Sequence, residues 1–270
     1  MRKVSVGNEH FALMSAGEIC EVAASNMRWM RHQEGIQRGN GAVSTEQFIQ
    51  KARLGDNKLV EMSEALLSKI EDQVPLSRGW RNIDDVVGAV PNIPAFLAGH
   101  PQNMRRRERA MRESAPLTIF MDLTSSMAIN QDDILKRGIV LLALVRQLVA
   151  HRSVELWVGT SLGEGRHSCF AGWKIDTTPL DLARAAFHIS DVSMSRLFGY
   201  ATCEMLVNQH LGGFGASAKR NVELLKQIGG WHDLMYLPPI HHHDPMVSDP
   251  VGWLKKTMKQ YVRMEEEDAA

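Results

Sequence analysis

Leu117-Thr118-Ile119-Phe120-Met121 runs directly into Asp122-Leu123-Thr124-Ser125-Ser126. The first five residues form a short apolar run of the kind that makes a buried strand. The next five are turn formers, and a helix is expected about seven residues later. A turn after a strand can aim residues i, i+2 and i+4 at one point. Here these are Asp122, Thr124 and Ser126, one carboxylate and two hydroxyls. Such hard oxygen donors suit Mg²⁺ or Mn²⁺, which take about six oxygens and often keep waters. A single carboxylate leaves the ion electron-poor and able to take a carboxylate from outside. The same residue types also cap helices and build turns.

Working outward, β-type runs and amphipathic helices alternate after residue 114. The helix Asp133–Ala150 places Ile134, Ile139, Leu142, Val145 and Val149 inward. Strands follow at Val154–Gly159 and Cys169–Ile175, the latter at a sheet edge. Thr178 and Pro179 open a helix over Leu180–His188, and another covers Ala201–His210. Ser217 caps a helix that stops at Gly229-Gly230. Asp233–Pro239 is the last strand, and Asp249-Pro250 starts a C-terminal helix. This alternation predicts an α/β fold with a mostly parallel sheet covered on both faces. Ligands of such sheets sit beyond the carboxyl ends of the strands.

Residues 1–113 read instead as a helical and irregular region. A helix is expected over Ser15–His32. Ser44 and Gln47 make a capping box for a helix through Arg53, and a third helix runs over Lys58–Glu71. Prolines and glycines then break the pattern from Val74 to His100. The run Asn103–Glu113 reads as a solvated strand or helix. Its arginines, Arg105, Arg106, Arg107 and Arg109, can also serve an anion or an acidic partner, because guanidinium forks match carboxylate and phosphate oxygens.

Composition narrows the classes. Thirty-one basic and 31 acidic side chains in 270 residues give zero formal charge, split +2 over residues 1–116 and −2 over the rest. That argues against broad nucleic-acid binding, which draws on a basic excess. No apolar run reaches the length of a membrane span. Three widely separated cysteines, Cys20, Cys169 and Cys203, argue against a disulfide framework and fit a reducing cytoplasm.

The Asp122, Thr124, Ser126 triplet resembles the metal-ion-dependent adhesion site of the von Willebrand factor A fold, which carries Asp-x-Ser-x-Ser after its first strand. Gly199-Tyr200-Ala201-Thr202 resembles that family's second loop, with Thr202 as the matching residue. Asp244 is the candidate on the third loop, although Ile240-His241-His242-His243 intervenes where the family closes its strand with Asp-Gly. The resemblance covers residues 114–262. It implies a von Willebrand factor A-like domain, an Mg²⁺ or Mn²⁺ ion, and a protein partner that offers a carboxylate. Intracellular members work beside AAA+ ATPases of the MoxR type, so the resemblance implies such a partner. Gly79–Arg109 resembles proteins encoded by bacteriophages and plasmids, which implies a bacterial host cytoplasm or a virion. Two other functions are open from the residues. His241 and His243 with Asp244 could hold zinc for a metal-assisted hydrolase or a nucleic-acid-processing enzyme. Alternatively, the Asp122 turn is only a cap, in a structural or assembly protein indifferent to metal.

Overall fold

Every residue of the strand Leu117–Asp122 is buried, as a strand in the interior of a sheet with two covered faces must be. The computed structural model describes residues 1–31, 44–57, 59–61, 64, 68, 80–109, 116–125, 129–149, 152–164, 167–177, 179–211 and 221–262. The elements in chain order begin with β1 (Arg2–Val6), β2 (Glu9–Ser15), α1 (Ala16–Ser25) and α2 (Thr45–Leu54). They continue with β3 (Trp80–Asp85), β4 (Val90–Pro91), α3 (Ile93–Leu97), β5 (Met104–Arg109), β6 (Leu117–Asp122) and α4 (Gln131–Val149). The rest are β7 (Val154–Glu164), β8 (His167–Ile175), α5 (Leu182–Ser190), a π-helix (Met194–Gly199), α6 (Tyr200–Val207), α7 (Val222–Gly229), β9 (Asp233–Leu237), α8 (Pro245–Ser248) and α9 (Pro250–Val262).

The main sheet has the order β1-β2-β8-β7-β6-β9. The pairs β2–β8, β7–β6 and β6–β9 are parallel, and β1–β2 and β7–β8 are antiparallel. The fold is therefore α/β with a mostly parallel six-stranded sheet flanked by helices. Strand β6 lies between β7 and β9, and the chain leaves it on one side and returns on the other. Among the described residues, no helix is long and apolar enough to cross a membrane.

Alternation along β6 sorts the core. Leu117, Ile119 and Met121 face the large helical layer, together with the buried residues of α4. Phe120 faces the opposite side, where Phe11, Leu13, Phe170, Leu225, Ile228 and Trp231 form a second cluster under α7. The Phe120 ring lies 5.2 Å from that of Phe170 and 5.7 Å from that of Trp231. Gly159 and Gly172 pair across β7 and β8 beneath this ring. A Cβ on Gly159 would come within 2.6 Å of both the Phe120 ring and the Ala171 carbonyl.

Several sequence expectations differ from this arrangement. The N-terminal region supplies strands as well as helices. The hairpin β1–β2 turns at Gly7, whose φ of +59° suits glycine. It then pairs with β8, so β8 is an interior strand rather than an edge. The expected first helix is interrupted at Asn26, after which residues 27–31 are helical again. The expected capping box is present, with Ser44 accepting from the Gln47 N–H and the Gln47 side chain accepting from the Ser44 N–H. Helix α5 is capped by Asp181 and starts two residues later than expected. Most of Lys58–Glu71, together with Thr178 and Ser217, lies outside the described residues.

His188 fastens α2 to α5. Its Nε2 donates to the Ala52 carbonyl at 2.8 Å, and the residue is fully buried. Burial pulls its pKa from 6.5 down to about 4. The unfolded chain takes up this proton first as pH falls. Stability is thus fully retained above pH 6.5 and lost as pH falls toward about 4.

Two outcomes follow from this packing. Gly159→Ala should destabilise the fold by about 1–3 kcal/mol through overpacking, read as a lower midpoint in thermal unfolding. His188→Gln should remove about 2 kcal/mol of the stability change between about pH 7 and pH 5, read from urea titrations of both proteins.

Candidate functional site

The carboxyl end of β6 lies where the strand order reverses, between β7 and β9. Crevices at such points are the usual ligand sites of α/β sheets. Asp122 closes β6 and is fully buried. Its Oδ1 accepts the Thr124 N–H at 2.8 Å, a turn that the short Asp side chain makes readily. Its Oδ2 accepts the Tyr236 hydroxyl of β9 at 3.1 Å. Its backbone carbonyl accepts a hydrogen bond from Arg137 Nη1 at 3.2 Å.

Arg137 belongs to the second turn of α4 and is only 3% exposed. Its Nε stands 2.9 Å from Asp244 Oδ2, a charge pair without hydrogen-bond alignment at Nε. Its Nη2 donates to the Pro238 carbonyl just past β9. Asp244 is also buried, and its Oδ1 accepts the Met246 N–H to cap α8. Burial pulls the Arg137 guanidinium below its ordinary range. Asp244 opposes this first, followed by Asp122 and Tyr236. Arginine starts so high that it stays charged here.

Thr124 turns inward. Its Oγ1 lies 3.1 Å from Thr160 Oγ1 and 3.3 Å from Ser161 Oγ, and accepts the Ser161 N–H at 3.1 Å. Thr160 in turn meets Ser195 Oγ at 2.9 Å. Ser195 sits on the π-helix, a rare geometry that often marks functional sites. The next residue, Arg196, donates to Ser125 Oγ at 3.5 Å. Ser125 also forms a parallel bridge with Ile240, which brings the segment after β9 alongside the Asp122 turn.

The structure thus joins Asp122 to Asp244 through Arg137 and turns Thr124 toward β7. Thr202 lies inside α6, with its hydroxyl donating to the Phe198 carbonyl at 2.8 Å. Ser126 lies outside the described residues. His241, His242 and His243 are exposed in the turn before Asp244. Among the described residues, no group of three or more His, Cys, Asp or Glu is arranged to hold a metal ion. Of the donors chosen from sequence, Asp122, Thr124 and Asp244 are engaged by protein groups in this geometry. Both oxygens of Asp122 and of Asp244 accept from, or pair with, protein groups. The positive charge beside Asp244 is the Arg137 guanidinium, which meets Asp122 at its backbone carbonyl.

Sequence reading missed Arg137, Tyr236, Thr160, Ser161, Ser195 and Arg196. Arg137 did carry a signal. It lies at i−4, i−7 and i−11 from the buried Leu141, Leu144 and Leu148, on the helix face where a charge needs a partner.

A second surface lies on the arm formed by residues 80–109. Its small sheet has the order β3-β5-β4. Arg105 and Arg106 stand on β5 and pair with Asp84 and Asp85 of β3 at 3.4 and 2.7 Å. Arg107 pairs in register with Asn82. Beside this ladder, Val86, Val87, Val90, Ile93, Phe96 and Leu97 are each 56–78% exposed. Contiguous exposed apolar side chains of this kind mark interaction surfaces on folded proteins.

The sequence pattern of a family described as a domain of unknown function (DUF7192) matches residues 11–263. No curated protein and no solved structure matches the chain.

Arg137→Met should cost about 3–5 kcal/mol, because it leaves Asp244 buried without its counter-charge. Adding Asp244→Asn should recover part of that loss, read as non-additivity in urea unfolding.

Proposed function

Because the chain belongs to the DUF7192 family, a domain of unknown function, we propose its function from its surfaces: it is a protein-binding, assembly-type module that docks through the apolar face of the arm. The observation that carries this reading is the group of six large apolar side chains on residues 86–97, all more than half exposed. Docking that removes such area from water gains about 25 cal/mol per Å² before the costs of association. A protein surface supplies the matching apolar area.

In this reading the carboxyl end of β6 is an internal brace and binding needs no divalent ion. Arg137 already neutralises Asp244, and Thr124 is held by β7. The finer architecture proposed is von Willebrand factor A-like. It is supported by the Asp122 turn at the end of β6, the helix α4 that follows, and the parallel pairing of β6 with β7 and β9.

A photo-reactive phenylalanine analogue at position 96, incorporated in the native host, tests the docking face. Discrete adducts with protein are expected from position 96 and not from exposed position 223 on α7. Absence of adducts, or equal labelling from both positions, would overturn the reading. Thermal unfolding should show the same midpoint with Mg²⁺, Mn²⁺ or EDTA. A midpoint raised by Mg²⁺ in wild type and not in Asp122→Ala would replace this reading with metal-dependent adhesion.

A further inference from the structure

The apolar face of the arm has a charged border. Val90 stands opposite Arg105 in the antiparallel β4–β5 register, so the two side chains share one face of the small sheet. The turn before Val90 also lies on β5, where a Cβ on Gly88 would come within 2.3 Å of the Arg105 carbonyl oxygen. Helix α3 is fastened to the same strands through its cap. Asn92 donates its N–H to the Asn103 carbonyl at 2.7 Å and its side-chain amide to Asp84 Oδ2 at 3.0 Å. The exposed hydrocarbon of residues 86–97 and the start of β5 are thus parts of one tied unit.

The partner of Arg105 is shared. Asp84 gives Oδ2 to Asn92, and its Oδ1 stands 3.4 Å from Arg105 Nε in a pair that is about half exposed on both sides. Among the described residues Arg105 meets no other carboxylate, so the Nη end of its fork is open to an acceptor from outside. On the opposite face Arg106 and Asp85 stand closer, at 2.7 Å. The arm as a whole is basic, with five arginines against three carboxylates over residues 80–109. The chain has no net charge, so the remainder is negative by the same margin. An acidic partner is drawn to the arm and away from the rest of the surface.

We propose that the segment docking on this face is acidic and amphipathic. Its large apolar side chains cover Val87, Phe96 and Leu97, and an Asp or Glu beside them takes the open fork of Arg105. The proposal rests on the docking reading above and names the chemistry of the partner. Other polyanions suit the face less well. Bases of single-stranded nucleic acid stack on aromatic rings, and the exposed set has one ring, Phe96, among five aliphatic side chains. An anionic bilayer presents a continuous negative surface, which Asp84, Asp85 and Glu108 on the same strands oppose. The carboxylates of a peptide come singly and can face Arg105 while its hydrocarbon meets the aliphatic residues.

A yeast-displayed library of random peptides is selected on the immobilised full chain, with Val87→Ser/Leu97→Ser as the counter-selection. Both changed positions are exposed, and circular dichroism checks that the fold is kept. Enriched peptides are expected to combine Leu, Ile or Phe with net negative charge. A synthetic peptide from that pool should bind Arg105→Glu about tenfold or more weakly than wild type, as for loss of a charged contact. Its counterpart with Lys in place of Asp and Glu should prefer Arg105→Glu to wild type, a gain that a misfolded variant cannot give. Equal affinity of the acidic peptide for both proteins overturns the proposal, as does a pool of basic or uncharged peptides or no enrichment over the counter-selection. Single-stranded DNA or phosphatidylserine vesicles that bind wild type and are lost from Val87→Ser/Leu97→Ser overturn it as well. Failure of the docking reading is distinguishable. If the pool is uncharged yet still lost from Val87→Ser/Leu97→Ser, docking stands and only the acidic partner falls.

Discussion

A single guanidinium ties the strand ends together. Arg137 reaches from α4 to the carbonyl of Asp122, the carbonyl of Pro238 and the carboxylate of Asp244. Those contacts fix the exits of β6 and β9 and the start of α8. The first lies more than 100 residues from the other two, and they meet only if β9 returns beside β6. A buried pair of this kind adds little net stability over a well-packed apolar substitute, because desolvation offsets most of the attraction. Its consequence is positional. With Arg137 in place, neither carbonyl is left unpaired in a dry environment, and Asp244 can cap α8 without being an isolated buried charge.

The same constraint shapes the chemistry of the crevice. The carboxylate at the end of β6 is built into this framework through both of its oxygens. Asp122 spends one on the Thr124 N–H and the other on Tyr236. Thr124 and Thr160 pass hydrogen bonds along to Ser195 on the π-helix. The result is a connected polar network under the rim in which hydroxyls satisfy one another. Networks of this kind rigidify a structure when every member is paired.

The readable parts of the sequence were those in which local chemistry decides the outcome. The Ser44–Gln47 capping box, the apolar stripe of α4 and the all-apolar β6 are legible because propensity, pattern and burial agree. The hairpin β1–β2 was less so. Gly7-Asn8 is a turn signal, but Arg2–Val6 stays largely exposed and β2 is apolar on both faces, so neither shows clean alternation. Its place depends on pairing with β8, more than 150 residues away, which no local pattern encodes. Within the site, Asp122 and Asp244 were found by residue type, whereas Arg137 was hidden in a helix read only for its apolar stripe. Thr202 matched a motif, yet the nearby π-helix changes the register of side chains and presents Ser195 and Arg196 instead.

The arm poses the opposite problem. Prolines and glycines from Val74 to His100 suggest a loop, and the apolar residues between them look like the draping of a loop over a core. The structure instead forms β3, β4, α3 and β5 and leaves that apolar set outside. An exposed apolar face costs solubility and invites non-specific association, so folded chains seldom retain one without a use. The neighbouring strands add basic charge, five arginines against two aspartates and one glutamate over residues 80–109. The docking face proposed for the arm therefore sets exposed hydrocarbon beside guanidinium groups that outnumber the neighbouring carboxylates.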